Sequence, residues 1–426
     1  MIDSNSKSNY SKYATIALIT GLVFVFISWY GMYQGILLHE KRNLLGYLIG
    51  LGFWTSIIIG MLFMTLLFYI FKAKWPIIIR RQLEHGLSAF PVLFLLSLPI
   101  VCIAKLAPDY AGVVWKWMDP GYVMPTPDGL KVGDDTLYQA KSVFLNVDFF
   151  IARTCIYFLL FFVVSYILRT CSFRMDQDGD SKWSSIGIKT SAGTIFFVAL
   201  ATTFLAFDWF KSLEFHWFST MYGVWFFAAS MRAALSVTII ICFFLATKGY
   251  LKGIFGRGHL YDLACMMLTF TIFWTYISFS QYFLIYTANI PEETFWYVIR
   301  EINPITGKFN SWFWVSMGLI FLHFFAPFFM LLRYKNKVTM PNTVFIACWI
   351  LTFHILDLYW NILPGKKAAD NVLGYVVREL NISLYDVTSL IGIGLICMFA
   401  FFRSMNKAEA IPIRDPRILA SVNHHE

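Results

Sequence analysis

Apolar runs long enough to cross a bilayer alternate with short polar connections along the whole chain. A spanning helix takes about 20 mostly apolar residues. By that measure the sequence predicts ten spans, at 13–33, 46–71, 86–107, 144–168, 191–210, 222–247, 262–288, 310–333, 342–361 and 383–403. The first ends in Trp29, Tyr30 and Tyr33 and lacks a small-x-small cleavage site. It reads as a retained helix, not a signal peptide. The longest connection, 108–143, contains Pro108, Pro120, Pro125 and Pro127 with Trp115 and Trp117. It reads as an irregular segment on the membrane surface whose tryptophans dip into the lipid interface. Beyond Arg403, a short polar tail with Pro412 and Pro416 reads as a linker or docking strand. No internal repeat and no soluble domain is visible. The expected fold class is all-α, a polytopic membrane protein.

Composition sharpens this picture. Of 426 residues, 58% are hydrophobic, 19% aromatic and only 14% charged, against roughly 25% charged in soluble domains. The net charge of +9 does not signal nucleic acid, because the basic residues lie between apolar runs and form no footprint. They orient the chain instead. With the N-terminus inside, 20 Lys and Arg fall in inner segments and 12 in outer ones, which predicts both termini on the cytoplasmic side. The seven cysteines show no C-x-x-C or C-x-x-C-H spacing, which argues against covalent haem and a four-cysteine iron–sulfur site. No helix carries paired histidines for axial ligation, no Cys/His/Asp cluster suits zinc, and no Walker or dinucleotide glycine motif occurs. The chain is expected to hold no cofactor or metal of its own.

The informative residues are then the ionisable ones inside the spans, each costly if it faces lipid. They are Asp148, Arg153, Asp208, Arg232, His323, His354, Asp357 and Asp386, with Glu214 and His216 just beyond the fifth span. His354 and Asp357 are three apart and share a helix face, which suits either a proton relay or a self-satisfied packing pair. His323 precedes Pro327 by four residues, so its carbonyl loses its helical donor and the span is expected to kink beside the imidazole. Arg232 needs a counter-charge, and Asp208 and Glu214 are nearest in sequence. Arg153 needs one too. Asp148 lies about 140° round the helix from it and is a poor partner; Asp357 and Asp386 on other spans are candidates. The seventh span carries a polar ridge of Thr275, Ser278 and Gln281, of a kind that glues helices together. One expectation ties these residues together: the buried titratable groups converge on a hydrated pocket opening toward the outer face.

Four stretches carry a family resemblance. Trp75-Pro-Ile-Ile-Ile-Arg80-Arg81 leads through Glu84 into the third span, and Lys141-Ser-Val-Phe-Leu-Asn146-Val-Asp-Phe-Phe-Ile-Ala-Arg153 opens the fourth. Asp208-Trp-Phe-Lys-Ser-Leu-Glu-Phe-His216 joins the fifth span to the sixth. Phe273-Trp-Thr-Tyr-Ile-Ser-Phe-Ser-Gln281, followed by Asn289-Ile-Pro-Glu-Glu293, closes the seventh. Together they resemble the NrfD/polysulfide-reductase family of membrane subunits. Within it the likeness is to the F subunit of bacterial alternative complex III, a quinol:cytochrome c oxidoreductase. The C subunit of that complex is a paralogue; the modest length and Asn-Ile-Pro-Glu-Glu favour F. Phe215 departs from the proline of a Leu-Glu-Pro-His pattern, and His85-Gly86 from a small pair after Glu84.

The resemblance implies two four-helix bundles, 46–210 and 211–361. Residues 1–45 would be a tail and flanking helix, 362–403 an outer loop and second flanking helix, and 404–426 a cytoplasmic tail. It implies a bacterial cytoplasmic membrane, with iron–sulfur and c-haem subunits at the outer face, the C subunit within the bilayer and a terminal oxidase as a further candidate partner. The implied role is support of menaquinol oxidation and proton translocation, with the C subunit the stronger candidate for holding menaquinone. Asp208, Glu214, His216, Arg232, His323, His354, Asp357, Arg153 and Asp386 are the proton-path or quinol-site candidates. Two other readings stay open: a secondary transporter of a small organic anion, with the membrane arginines as counter-ions, and an inert anchor for redox subunits.

Overall fold

The computed structural model describes residues 4–124, 129–303, 306–368 and 375–424. Ten helices are long and apolar enough to cross a membrane: Tyr10–Leu37, Arg42–Ile70, Ile77–Val101, Val147–Asp178, Lys182–Glu214, Tyr222–Thr247, Arg257–Ala288, Ser311–Leu332, Met340–Ile362 and Leu384–Met405. They are numbered here as spans 1 to 10. Among the described residues the one β ladder pairs Lys366–Ala368 with Tyr375–Val377. The protein is an all-α polytopic membrane protein. Ten crossings return the chain to its starting side, so both termini lie at one end of the molecule, here the termini end. The long connection between spans 3 and 4 lies at the other, the loop end.

Span 2 is the axis. From Leu44 to Tyr69 every residue except Trp54 and Leu67 is buried, the pattern of a helix apolar on all sides because other helices enclose it. It packs against spans 3, 5, 6, 9 and 10. Spans 2 to 5 close one four-helix bundle, spans 6 to 9 close a second, and spans 2 and 6 form the seam between them. At the seam the backbones come close: a Cβ built on Gly60 would lie 2.2 Å from the Ser230 carbonyl oxygen. Spans 1 and 10 pack against each other and lean on span 2, with Ser28 Oγ and Thr388 Oγ1 bonded at 2.9 Å.

Two expectations are corrected. Span 3 begins at Ile77 rather than 86, so Arg80, Arg81, Gln82, Glu84 and His85 lie inside the helical bundle and are fully buried. A hydropathy ruler reads such residues as a connection. The helix keeps them because the fold supplies partners: Arg80 Nε meets Glu84 Oε1 at 3.0 Å, Arg80 Nη2 meets Asp415 Oδ2 at 2.9 Å, and Arg81 Nη1 meets Asp176 Oδ2 at 2.6 Å. The C-terminal tail is thus a docking strand. It also accepts from Arg81 at the Glu409 carbonyl and from Gln82 at the Ala410 carbonyl, and reaches span 7 through His424 and Asp262 at 2.8 Å. The second correction concerns Trp115 and Trp117, which are buried against Phe150, with ring centroids 5.1 and 5.6 Å away. They plug the loop end of the first bundle instead of entering lipid, because aromatic partners within the protein cover them. Pro125 and Pro127 lie outside the described residues.

Candidate functional site

The predicted titratable residues do not form one pocket; they divide into two closed staples, one exposed pair and one extended group. The first staple is Arg153 with Asp208. Arg153 Nε and Nη2 meet the two carboxylate oxygens at 2.9 and 2.8 Å, and Tyr157 donates to the same carboxylate at 2.9 Å. The remaining guanidinium nitrogen donates to the Phe144 carbonyl, and the guanidinium lies 3.8 Å from the Phe144 ring centroid. The partners expected for Arg153, Asp357 and Asp386, are bonded elsewhere. The cause is topological. A tight turn at Gly179, left-handed at φ 72°, joins spans 4 and 5 as antiparallel neighbours, and Arg153 and Asp208 lie almost equally far from it.

The second staple is Asp386. Arg42 forks onto both its oxygens, Tyr359 donates to it at 2.7 Å and the Ser383 N–H at 3.0 Å. This ties spans 2, 9 and 10 together at the loop end and leaves the carboxylate no open position. Asp148 meets Lys105 at 2.7 Å, well exposed.

The extended group begins in the core of the second bundle. Arg232 on span 6 pairs with neither Asp208 nor Glu214, the partners nearest in sequence. Its guanidinium bonds His323 Nε2 on span 8, donates to the His323 carbonyl at 3.4 Å and lies 4.7 Å from the Trp274 ring centroid. That carbonyl is free because Pro327 has no N–H to offer it. Span 8 answers with a π-helical turn at Leu319–Phe325 where a simple kink was expected. Trp274 Nε1 on span 7 then donates to Asp357 Oδ2 at 3.0 Å. Four helices therefore contribute Arg232, Trp274, His323 and Asp357 to one buried cluster. His354 lies beside it but is not bonded to Asp357; its Nε2 pairs with Ser56 Oγ of span 2 at 2.9 Å. The Nδ1 atoms of both histidines and Ser230 Oγ are buried without a bonding partner among the described residues, and buried polar atoms of this kind are normally met by water.

From Asp357 the polar succession turns toward the loop end. Asn361 donates to Asp357 Oδ1 at 3.1 Å and lines a small enclosed cavity of about 20 Å³ with Lys41, Lys211, Glu214, Tyr222 and Arg300. Glu214 Oε1 lies 3.4 Å from His216 Nδ1, and His216 Nε2 lies 2.8 Å from Asp135 Oδ2. The His216 side chain is 27% exposed, so the succession ends at the surface. Burial opposes protonation of His216, but the hydrogen bonds to Glu214 and Asp135 outweigh it and hold its pKa above the ordinary value. The same contact overcomes burial of Asp135 and holds that carboxyl below its usual range.

Asp135, Lys41 and Arg300 are missing from the residues picked out by sequence. Asp135 had a signal, because it caps the helix Thr136–Lys141 through the Tyr138 N–H. Lys41 and Arg300 had none, because their connections look like ordinary surface loops. Of the polar ridge on span 7, Gln281 alone bridges to other elements, accepting from Ser219 at 2.8 Å and donating to Tyr297 at 3.2 Å. Thr275 bonds its own helix at Thr271.

A lipid-side groove of about 320 Å³ lies between spans 9 and 10. Its polar groups, Asp386 and Tyr359, are already spent on each other and on Arg42. The groove suits an apolar chain and does not fit a quinol headgroup. Among the described residues no group of three His, Cys, Asp or Glu is placed to hold a metal ion. In comparison with known proteins, no family model matches the chain and no curated protein matches it.

Proposed function

We propose that the chain is a membrane subunit of a quinol-oxidising respiratory complex and contributes a proton path to it. Supporting this is one observation above the rest: a buried carboxylate, Asp357, is linked through Asn361 and a polar cavity to Glu214, His216 and Asp135 at the loop end. Quinol oxidation releases two protons with its two electrons, and each proton needs a base and a wet exit. In this reading Asp357 takes up the proton. Asn361 orients the carboxylate toward the cavity, and His216, held by Asp135, takes the proton and releases it at the surface. Electron transfer belongs to iron–sulfur and c-haem partners at the loop end, which faces the outside of a bacterial cytoplasmic membrane, and menaquinol binding to the C-type paralogue. A proton crossing the whole bilayer works against about 2.3 kcal/mol per 100 mV, so the path needs that coupled redox step.

The test is Asp357→Asn in the purified complex reconstituted in vesicles. Expected is full subunit assembly with proton release, or turnover itself, lost. Unchanged turnover and proton release would reduce the chain to an anchor. Isolation of the chain without haem-bearing partners would favour the anion-transporter reading.

A further inference from the structure

At the loop end of the first bundle, outside the proton path, an open groove of about 490 Å³ lies against the start of span 4. Met118, Pro120, Val143, Leu145 and Val147 give it apolar walls. Val143 is 87% exposed. Three polar side chains also line it. Trp117 is 1% exposed, and its Nε1 is buried without a hydrogen-bond partner among the described residues. An indole N–H can only donate, so the groove holds a buried donor in want of an acceptor. Burial holds the Tyr138 phenol above its ordinary pKa, in the neutral form that can donate. Asp148 meets Lys105 Nζ at 2.7 Å, with both side chains more than half exposed.

The groove stands at the level of lipid headgroups. Span 4 has 32 residues, about 48 Å at a rise of 1.5 Å per residue. A bilayer measures about 30 Å across its hydrocarbon and about 40–45 Å with its headgroups. With the span centred, its first turn, which carries Val147 and Asp148, falls in the headgroup layer. Deeper on the same helix face as Asp148 come Ala152, Cys155 and Leu159, all exposed. The carboxylate thus tops an apolar track that runs into the hydrocarbon.

An exposed ion pair adds little to stability, but it is a ready counterpart for a zwitterion. A phosphate beside Lys105 and a primary ammonium beside Asp148 complement both charges at once. A purely anionic headgroup would gain the lysine and face the carboxylate, and a quaternary ammonium has no N–H to give that carboxylate. Phospholipid ester carbonyls lie between headgroup and chains, at the depth where Trp117 and Tyr138 offer donors, and the chains can follow the track on span 4. An apolar polypeptide segment would cover the walls but answer neither charge. We propose that this groove binds one phospholipid with a primary-ammonium headgroup, of the phosphatidylethanolamine class, from the loop-end leaflet. The proposal rests on charge, depth and an unmet donor, independently of the proton-path reading.

The test uses the full chain with whatever subunits copurify, delipidated and reconstituted with equal parts of phosphatidylethanolamine, phosphatidylglycerol and phosphatidylcholine. Native mass spectrometry should show phosphatidylethanolamine retained in preference to the other two. A density map in nanodiscs should place its headgroup between Lys105 and Asp148. Asp148→Asn and Lys105→Gln, both at exposed positions that spare the fold, should each abolish the preference. Trp117→Phe keeps the ring and removes the N–H, and should lower retention without changing which lipid is preferred. Equal retention of the three lipids, a preference that survives in Asp148→Asn and Lys105→Gln, or a partner polypeptide seated in the groove overturns the proposal. These readouts involve neither turnover nor proton release, so failure here leaves the Asp357→Asn test untouched.

Discussion

At the residue scale, what separates one buried carboxylate from another is the kind of donor that meets it. Asp208 is held by a guanidinium and a phenol, and Asp386 by these and a main-chain N–H, so they hold helices together. Asp357 meets only neutral donors, Trp274, Trp225 and Asn361, and the asparagine opens onto the cavity. His216 gives the clearest pH prediction. Its folded pKa is raised above the ordinary 6.5, so its contribution to stability is complete below that value and lost as pH rises through the folded value. Asp135 is depressed below 3.8, so its contribution is present above that value and lost as pH falls through the folded one. The loop-end clamp is therefore tightest under mildly acidic conditions and loosens above neutrality. Amide exchange of residues 133–141 should speed up beyond the intrinsic rate as pH rises above 6.5, and His216→Gln should flatten the profile. Protection that holds steady across that range would show that the clamp does not titrate. The importance of His216 was legible in the sequence because imidazole and carboxylate stand two residues apart beside a span. Its partner Asp135 was not, since 81 residues and a long irregular connection separate them.

At the scale of elements, the sequence locates helices by apolar length but misjudges those whose polar residues are covered by protein. Span 3 shows this: a run with Arg80, Arg81, Glu84 and His85 cannot be told from a loop until spans 2 and 4 and the tail are in place around it. The same blindness misassigned the partner of Arg232, because which carboxylate or imidazole meets a guanidinium depends on which helices are neighbours. Proline chemistry is local, so the freed His323 carbonyl was foreseeable, though not the π-helical turn that accommodates it. Pro327→Ala restores an N–H to that carbonyl and should convert the turn to regular α-helix. Arg232 Nη1 would then lose that acceptor while Nη2 keeps His323 Nε2, and an unsatisfied buried donor costs about 1–3 kcal/mol. Melting should therefore fall despite the better helix propensity of alanine, and exchange within 319–327 should slow. A variant more stable than the parent would show that Arg232 does not depend on that carbonyl.

At the scale of the whole molecule, the proposed proton path crosses or borders the seam between the bundles. Ser56 of span 2 holds His354 of span 9, Gly60 of span 2 rests against span 6, and the cavity takes its wall from both bundles. The number of spans was readable from hydropathy, but a seam is not, because a glycine in an apolar run gives no sign of what approaches it. The seam also makes a test that separates packing from propensity. In Gly60→Ala the new methyl would meet the Ser230 carbonyl oxygen at 2.2 Å and the Ala234 Cβ at 2.7 Å, and main chain cannot rotate aside as a flexible side chain can. Overpacking of this kind costs about 1–3 kcal/mol. Gly193→Ala is the control, since a Cβ there meets nothing within 4 Å and the change should stabilise the helix by up to about 1 kcal/mol. Thermal unfolding in detergent should move down for the first variant and stay level or rise for the second. If the two shift alike, the bundles do not touch at Gly60.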